Sequence, residues 1–180
     1  MTSWSSAEAA HRAASDAELV AWVDEADRPL GGVTRQELRE RNLIGRCTYI
    51  LLFNSAGQLC VHQRTLSKAL YPGYWDVAAG GMVAAGEDYL SGAQRELAEE
   101  LGITDAALQP SGRFFYDSME SRLWGRVYRA VSDSPLQLQA EEVQQARFIE
   151  IDQVLRELPC LPYCPDSLRA LQQYLQQHSG

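Results

Sequence analysis

The sequence predicts an α/β fold in which a mixed β-sheet carries helices on both faces. Two observations support this prediction. Segments with the pattern of β-strands are interrupted by a helical segment, and two further helical segments close the chain. In addition, 46% of the 180 residues are hydrophobic, which is sufficient for one domain with a buried core. We therefore expect no second domain.

The first 45 residues are expected to precede the core of the fold. Residues 1–16 are rich in Ala and Ser and lack a clear apolar periodicity, so they are expected to form a mobile arm or a frayed helix. The single domain is assigned to residues 17–180. Within it, residues 17–45 are predicted to form a hairpin and a short helix that opens at Thr34 with a capping-box pattern, and residues 46–180 the core and the C-terminal helix.

The core is predicted from alternating strand and turn signals. Residues 47–53 and 58–63 flank a polar turn, and a β-hairpin is the simplest explanation for this pattern. Three later segments are predicted to be strands, and two segments near the end are predicted to be helices. The strands are 112–116, 123–131 and 146–150, and the helices are 152–158 and 165–177.

Composition limits the partners of this chain. The formal net charge of −8 and the isoelectric point near 4.9 argue against general electrostatic binding of a nucleic acid duplex, which needs a basic face. The N-terminus has no apolar core of signal-peptide length, and no segment approaches the roughly 18 apolar residues of a membrane span. We expect a cytoplasmic protein that does not enter a membrane.

The cysteines do not show the spacing of a zinc site. Three residues separate Cys160 from Cys164, and no histidine lies close to them in the sequence. We expect Cys47, Cys60, Cys160 and Cys164 to be reduced and mostly packed thiols. His62, which lies in a strand pattern, is expected to be a half-buried strand residue rather than a metal ligand.

A predicted helix over residues 88–101 crowds three carboxylates into two turns. Glu96, Glu99 and Glu100 form an acidic arc beside an apolar stripe. Like charges at this spacing cost about 0.2–0.5 kcal/mol per pair, and the helix dipole disfavours anions near the C-terminus. The arc is either a solvated acidic face or a site where a divalent cation offsets the repulsion. The apolar stripe consists of Leu90, Leu97 and Leu101.

Nine residues around this helix resemble the signature of the Nudix hydrolases, G-x5-E-x7-R-E-U-x-E-E-x-G-U, in which U is bulky and aliphatic. The residues that match are Gly81, Glu87, Arg95, Glu96, Leu97, Glu99, Glu100, Gly102 and Ile103. The resemblance implies an α/β/α sandwich with a mixed β-sheet. It also implies a Mg²⁺ or Mn²⁺ cofactor and cleavage of a nucleoside diphosphate linked to another group.

The resemblance further implies which residues hold the metal. Glu96, Glu99 and Glu100 would be the ligands, and the carbonyl of Gly81 could supply another. Gly102 would have a structural role, because glycine tolerates the positive φ that ends a helix.

Arg95 and Glu87 would support this site. In a helix, Arg95 lies four positions before Glu99, and Glu87 lies at the helix start, where an anion is favoured. Their alternative roles are an exposed ion pair and an N-terminal cap.

A carboxylate is also needed to take the proton of the attacking water. Glu96 is one candidate. In many Nudix relatives the base comes from a loop beyond the motif, and Glu141 and Glu142 are placed for that role. We favour Glu142, with an ordinary acidic turn as the alternative for either residue.

Residues 20–176 show a wider resemblance to the type I isopentenyl-diphosphate isomerases, which share the Nudix fold. It is clearest over residues 52–59, 63–68 and 71–75. The isomerase residues that match Arg64 and Lys68 hold the diphosphate, so these two cations are predicted to bind phosphate. The alternative is that they are exposed loop cations.

The isomerase chemistry is missing from the sequence. Gly80 stands where the isomerases have their catalytic cysteine, Met82 stands where they have a histidine, and Gly45-Arg46 stands where they have another histidine. The Nudix signature is complete here, whereas it is degenerate in the isomerases. A metal-dependent pyrophosphohydrolase acting on a small diphosphate compound is therefore the leading hypothesis. An isomerase and a non-catalytic nucleotide sensor are the alternatives, and a homodimer is compatible with each.

Aromatic side chains provide candidate surfaces for stacking on a base. They are Tyr71, Tyr74, Trp75, Phe114, Phe115 and Trp124. Core packing or a place in a pocket wall is the default expectation for each.

Overall fold

The computed structural model describes residues 5–178 and contains an eight-stranded mixed sheet with helices on both faces. Residues 1–4 of the expected arm and residues 179–180 lie outside the described residues. The elements are α1 (Ser6–Ala17), β1 (Leu19–Val23), β2 (Pro29–Thr34), α2 (Arg35–Glu40), β3 (Ile44–Phe53), β4 (Leu59–Arg64), β5 (Trp75–Asp76), α3 (Tyr89–Leu101), β6 (Gln109–Asp117), β7 (Arg122–Val131), β8 (Val143–Ile149), α4 (Ile151–Glu157) and α5 (Pro165–His178). Within this range, no helix is long and apolar enough to cross a membrane.

Strand β3 organises the sheet, since β1, β4 and β7 all pair with it. Its ladder with β7 is parallel and runs through all ten residues of β3, whereas its ladders with β1 and β4 are antiparallel. The predicted hairpin of β3 and β4 forms, but its ladder is short and joins Phe53 to Leu59. Strand β4 continues beside β8 instead. The parallel pair of β3 and β7 therefore makes the sheet mixed.

The side chains of β3 alternate between two apolar cores, as the period of a strand requires. Leu51 packs in the core that contains Leu171 of α5. Its neighbour Ile50 packs in the core that contains Leu97 of α3. Because both faces of the sheet are covered, the predicted α/β/α sandwich is confirmed.

Helix α3 begins and ends with local capping signals. Asp88 is the N-cap, and its carboxylate accepts a hydrogen bond from the backbone N–H of Ser91 at 2.8 Å. Gly102 ends the helix in the left-handed conformation at φ 70°, as predicted. The predicted apolar stripe is wrong at Leu90, which is 44% exposed. The buried face follows the i, i+4 spacing through Ala93, Leu97 and Leu101.

Helix α1 occupies most of the segment for which a mobile arm or a frayed helix was expected. Ser5 and Glu8 form a capping box at its start, which gives this helix a defined N-terminus. None of its 12 residues is buried. Polar contacts hold it on the domain, among them the ion pair of Asp16 with Arg39 of α2 at 3.0 Å.

The four cysteines are free thiols, and three of them are packed as expected. Cys47, Cys60 and Cys164 are buried, whereas Cys160 is exposed. Burial raises the pKa of the Cys60 thiol to about 12, which leaves it protonated and unreactive at neutral pH.

Candidate active site

A cavity of about 400 Å³ lies between α3, the loop that follows β4, and helices α1 and α2. Its walls bring together eight of the ten predicted site residues: Arg64, Lys68, Gly81, Arg95, Glu96, Glu99, Glu100 and Glu142. The other two, Glu87 and Gly102, are absent from the walls and lie near the two ends of α3. The carboxylates and the cations therefore face one shared space.

Two of the three α3 carboxylates are buried. Glu96 is 6% exposed and Glu100 is 4% exposed, whereas half of the Glu99 side chain is exposed. Burial raises the pKa of Glu96 to about 7. Burial, followed by the charge of Glu96, raises the pKa of Glu100 well above its ordinary value. Glu100 also accepts a hydrogen bond from the backbone N–H of Gly80 at 3.2 Å.

Arg95 links the start of α3 to the acidic arc. Its Nε donates to Glu87 at 3.0 Å, and one terminal nitrogen donates to Glu96 at 2.8 Å and to Glu99 at 3.3 Å. Glu87 accepts a further hydrogen bond from the backbone N–H of Ala84 at 2.9 Å. The alternative of a helix cap is wrong for Glu87, because Asp88 is the N-cap. Glu87 instead connects Arg95 to the loop before the helix.

Gly81 brings the backbone against Glu96. A Cβ at Gly81 would lie 2.7 Å from the Glu96 carboxylate, so a larger residue would push that carboxylate away. The Gly81 carbonyl accepts a hydrogen bond from the backbone N–H of Thr48 at 3.0 Å, which fixes its direction.

Gly80 has no space for any side chain. Its φ is 144°, and a Cβ there would lie 1.9 Å from the carbonyl oxygen of Thr48. Gly80 occupies the position of the isomerase cysteine in the resemblance described above. A cysteine at this position is therefore incompatible with the backbone of this chain.

The two cations that were predicted to bind phosphate already have partners. Arg64 donates to the carbonyl of Leu70 at 3.1 and 3.3 Å and lies 3.4 Å from Asp76. Lys68 Nζ donates to Glu142 at 2.7 Å. Their side chains are 18% and 17% exposed, so the alternative of exposed loop cations is wrong.

Glu142 has the environment of an ion-pair partner. Its second oxygen lies 3.0 Å from Nε2 of His11 in α1. Burial alone would raise the pKa of Glu142, but the charges and hydrogen bonds of Lys68 and His11 outweigh it and lower that pKa to about 2. Such a carboxylate is a weak base. Glu96, with its raised pKa, is the better proton acceptor of the two.

Several polar residues of the cavity were missed by sequence reasoning. His11 lies in the segment for which a mobile arm was one expectation, and Asp166 follows Pro165 at the start of α5, where an acidic residue is ordinary. The hydroxyl of Tyr49 in β3 donates to Asp166 at 2.7 Å. No local signal in the sequence connects these positions, because they come from separate elements.

His62 and the aromatic residues divide between core and cavity. His62 is 2% exposed rather than half-buried, and burial lowers its pKa, which keeps the ring neutral. Tyr71 lies in the cavity wall, whereas Trp75 and Phe114 are buried in the core that contains α5. The rings of Phe115 and Trp124 pack on each other at 5.3 Å.

Whether a divalent cation fits this site can be judged from the side-chain atoms that could bind it. Among the described residues, no three His, Cys, Asp or Glu side chains converge as a ready-made metal site. The Arg95 guanidinium instead donates hydrogen bonds to Glu96 and Glu99. The donor chemistry nevertheless fits Mg²⁺ or Mn²⁺, which take carboxylate oxygens. Burial disfavours ionised Glu96 and Glu100, and a cation between them would offset that cost.

Comparisons with known proteins show what this chain is similar to. A family model described as NUDIX domain matches residues 44–168, a range that contains α3 and most of the cavity-lining carboxylates. An uncharacterized Nudix hydrolase of Pseudomonas aeruginosa is 69% identical over 166 residues, covering 92% of this chain and 98% of that protein. The uncharacterized Nudix hydrolase YfcD of Escherichia coli is 32% identical over 168 residues, covering 93% and 92%. The crystal structure of DR0079 from Deinococcus radiodurans superimposes with a TM-score of 0.74 at 27% identity, covering 87% of this chain and 99% of that one.

Proposed function

Because the chain belongs to the NUDIX domain family, we propose that it is a metal-dependent pyrophosphohydrolase that cleaves a phosphoanhydride in a small diphosphate compound. The observation that carries this proposal is the pair of buried carboxylates, Glu96 and Glu100, in a cavity that Arg64 and Lys68 also line. Burying two carboxylates beside a cavity lowers the stability of the fold, because each ionised carboxylate loses its hydration. The two carboxylates become favourable in a site that binds cations.

In this proposal Glu96, Glu99 and Glu100 hold Mg²⁺ or Mn²⁺, with the Gly81 carbonyl as a further donor. When bound, the ion would offset the charge of the phosphates and lower the pKa of a water molecule. Arg95 then has to release oxygens of Glu96 and Glu99, while its contact with Glu87 keeps it beside the site.

Arg64 and Lys68 would bind the diphosphate, since both cations face the cavity and are mostly buried. Glu142 positions Lys68 through the 2.7 Å ion pair, which is a revision of its predicted role as the base. Glu96 takes the proton of the attacking water in this proposal, because it is a carboxylate of the cavity wall and Glu142 is already paired with Lys68 and His11. A bound cation would lower the pKa of Glu96 from the value of about 7 that burial gives it.

The test is phosphate release from a panel of nucleoside diphosphates, nucleotide sugars, dinucleoside polyphosphates and isopentenyl diphosphate. Each compound is assayed with and without Mg²⁺, with a phosphatase added afterwards to reveal phosphomonoester products. The variant Glu100→Gln is compared with the unaltered chain, and Glu150→Gln, an exposed acid outside the cavity, is the matched control.

The proposal predicts that at least one compound is cleaved only with Mg²⁺, and that Glu100→Gln, but not Glu150→Gln, abolishes cleavage. Mg²⁺-dependent binding of a panel member without any turnover would contradict the hydrolase proposal and favour the alternative of a non-catalytic nucleotide sensor. Conversion of isopentenyl diphosphate into its isomer would contradict both.

A further inference from the structure

One side of the cavity contains polar groups that the proposed hydrolysis does not use. Strand β3 contributes Tyr49, β5 contributes Asp76, and the start of α5 contributes Asp166. Arg64, from the end of β4, is a proposed phosphate-binding cation that adjoins this side, because it contacts Asp76 at 3.4 Å. A diphosphate held by Arg64 would lie beside this group of residues, and an organic part that extends toward β3 and α5 would contact it.

Asp166 has one satisfied oxygen and one unsatisfied oxygen. Its Oδ2 accepts the hydrogen bond from the Tyr49 hydroxyl at 2.7 Å. Its Oδ1 is shielded from solvent and has no hydrogen-bond partner in the part of the chain that the structure describes. Buried carboxylate oxygens normally have a donor, and a missing donor is costly. The unsatisfied atom belongs to a residue of the cavity wall, so a shift of the Asp166 side chain toward a bound ligand would let the ligand supply that donor.

The charge on this side of the cavity favours a donor over another anion. The carboxylates of Asp76 and Asp166 face one guanidinium, that of Arg64, and Asp76 is only 8% exposed. One oxygen of Asp76 accepts the backbone N–H of Ala78 at 3.3 Å, and its other oxygen faces Arg64. Asp76 is therefore already satisfied, and Asp166 is the acceptor that remains open.

We propose that Asp166 is a specificity-determining residue, and that its Oδ1 accepts a hydrogen bond from an amino or hydroxyl group on the organic part of the substrate. This inference rests on the proposed function and narrows its substrate class to diphosphate esters that carry such a donor. A protein site built around a buried acceptor discriminates strongly against analogues that lack the donor, because the acceptor then stays unpaired.

The first test uses the unaltered chain and alkyl diphosphates that end in an amino, a hydroxyl or a methyl group. Three chain lengths of each are used, so that one of them spans the cavity. Binding in the presence of Mg²⁺ is measured by calorimetry, and cleavage is measured by phosphate release. We expect a donor-terminated compound to bind at least about tenfold more tightly than its methyl-terminated match. Equal or tighter binding of the methyl-terminated compound at every length overturns the inference. The amino and hydroxyl arms show which donor is preferred.

The second test uses Asp166→Asn, which keeps the shape of the side chain and can place an amide N–H where Oδ1 was. The preference for the donor is expected to fall by about tenfold, mainly through KM or Kd rather than kcat. Tyr49→Phe is the matched control, because it removes the hydrogen bond to Oδ2 and leaves Oδ1 in place. Its melting temperature is expected to fall, but the donor preference is expected to remain. If both variants reduce the preference equally, Asp166 has only a structural role.

Failure of this inference can be separated from failure of the proposed function. Cleavage without any preference for a donor-terminated compound would support the proposed hydrolase activity and contradict the proposed role of Asp166. Tighter binding of donor-terminated compounds without cleavage would support the proposed role of Asp166 and contradict the proposed hydrolase activity. If Asp166→Asn does not fold, the comparison of end groups on the unaltered chain still decides the question.

Discussion

Helices α1 and α3 line the same cavity but are held there in different ways. Helix α3 is fixed by an apolar face, because Ala93, Leu97 and Leu101 are each no more than 2% exposed. Helix α1 has no buried residue and lies before the range that the NUDIX model matches. Polar contacts attach it, among them His11 with Glu142.

This difference shows how a domain can hold unfavourable charges in place. The burial of Leu97 and Leu101 supplies the stability that keeps Glu96 and Glu100 buried despite their raised pKa values. Helix α1 depends on capping and ion pairs, which are worth much less. The α3 wall of the cavity is therefore held more strongly than the α1 wall.

The largest expected effect comes from Glu100→Gln on the α3 wall. This substitution is expected to lower activity and to raise stability. We expect Mg²⁺-dependent cleavage to fall by about a hundredfold or more, since Glu100 is a proposed metal ligand. In EDTA the melting temperature should rise, because a buried carboxylate with a raised pKa becomes neutral. Glu99→Gln, on a half-exposed side chain, should leave the melting temperature in EDTA nearly unchanged. A lower melting temperature for Glu100→Gln would show that its charge stabilises the fold.

The apolar face of α3 is tested by Leu97→Ala. Leu97 is 2% exposed, and truncating such a side chain lowers the free energy of unfolding by about 2–5 kcal/mol. Leu90→Ala, on the same helix at 44% exposure, should change it by less than about 0.5 kcal/mol. Urea denaturation measures both values. Similar losses for the two variants would mean that the assignment of the buried face is incorrect.

The buried carboxylate of Glu96 on the α3 wall is expected to make the stability of the fold depend on pH. The folded-state pKa of about 7 lies above the ordinary value of 4.5, so the folded state binds more protons between these two values. In EDTA, stability should therefore rise as pH falls from about 7 toward 4.5, by an amount on the order of 2–3 kcal/mol. Glu96→Gln should reduce this rise, and the remaining part is expected from Glu100, whose pKa burial also raises. Thermal unfolding across this pH range, with and without the substitution, checks the sign.

The smallest expected effect is on α1, through Ser5→Ala. Loss of this N-cap costs a helix about 1 kcal/mol. Because α1 buries no residue, the loss should stay local and speed hydrogen exchange in α1 about fivefold. Exchange in α3 should not change. Faster exchange in both helices would mean that the two walls of the cavity are one cooperative unit.

Some features were predictable because their signals are local. The ends of α3 at Asp88 and Gly102 follow from capping chemistry and from the φ that glycine allows. The acidic arc follows from the period of the helix, and the Nudix signature is a fixed spacing along one segment. The overall class of fold was predictable for the same reason, since strand and helix patterns have different periods.

The pairing of strands that are distant in the sequence, and the partners of charged side chains, could not be predicted, because no local signal connects them. The parallel ladder of β3 with β7 begins at Ile44 and Arg122, and no local pattern encodes that register.

The sequence alone determined the family and the helix that bears the carboxylates. Only the tertiary structure decided what each charge faces. It paired Glu142 with Lys68 and His11, which makes it a poor base, and it placed Asp166 against Tyr49, 117 positions away. The physical reason is that burial and neighbouring charges set the pKa of a side chain and decide which of its polar atoms lack a hydrogen-bond partner. Burial and neighbouring charges are properties of the assembled fold.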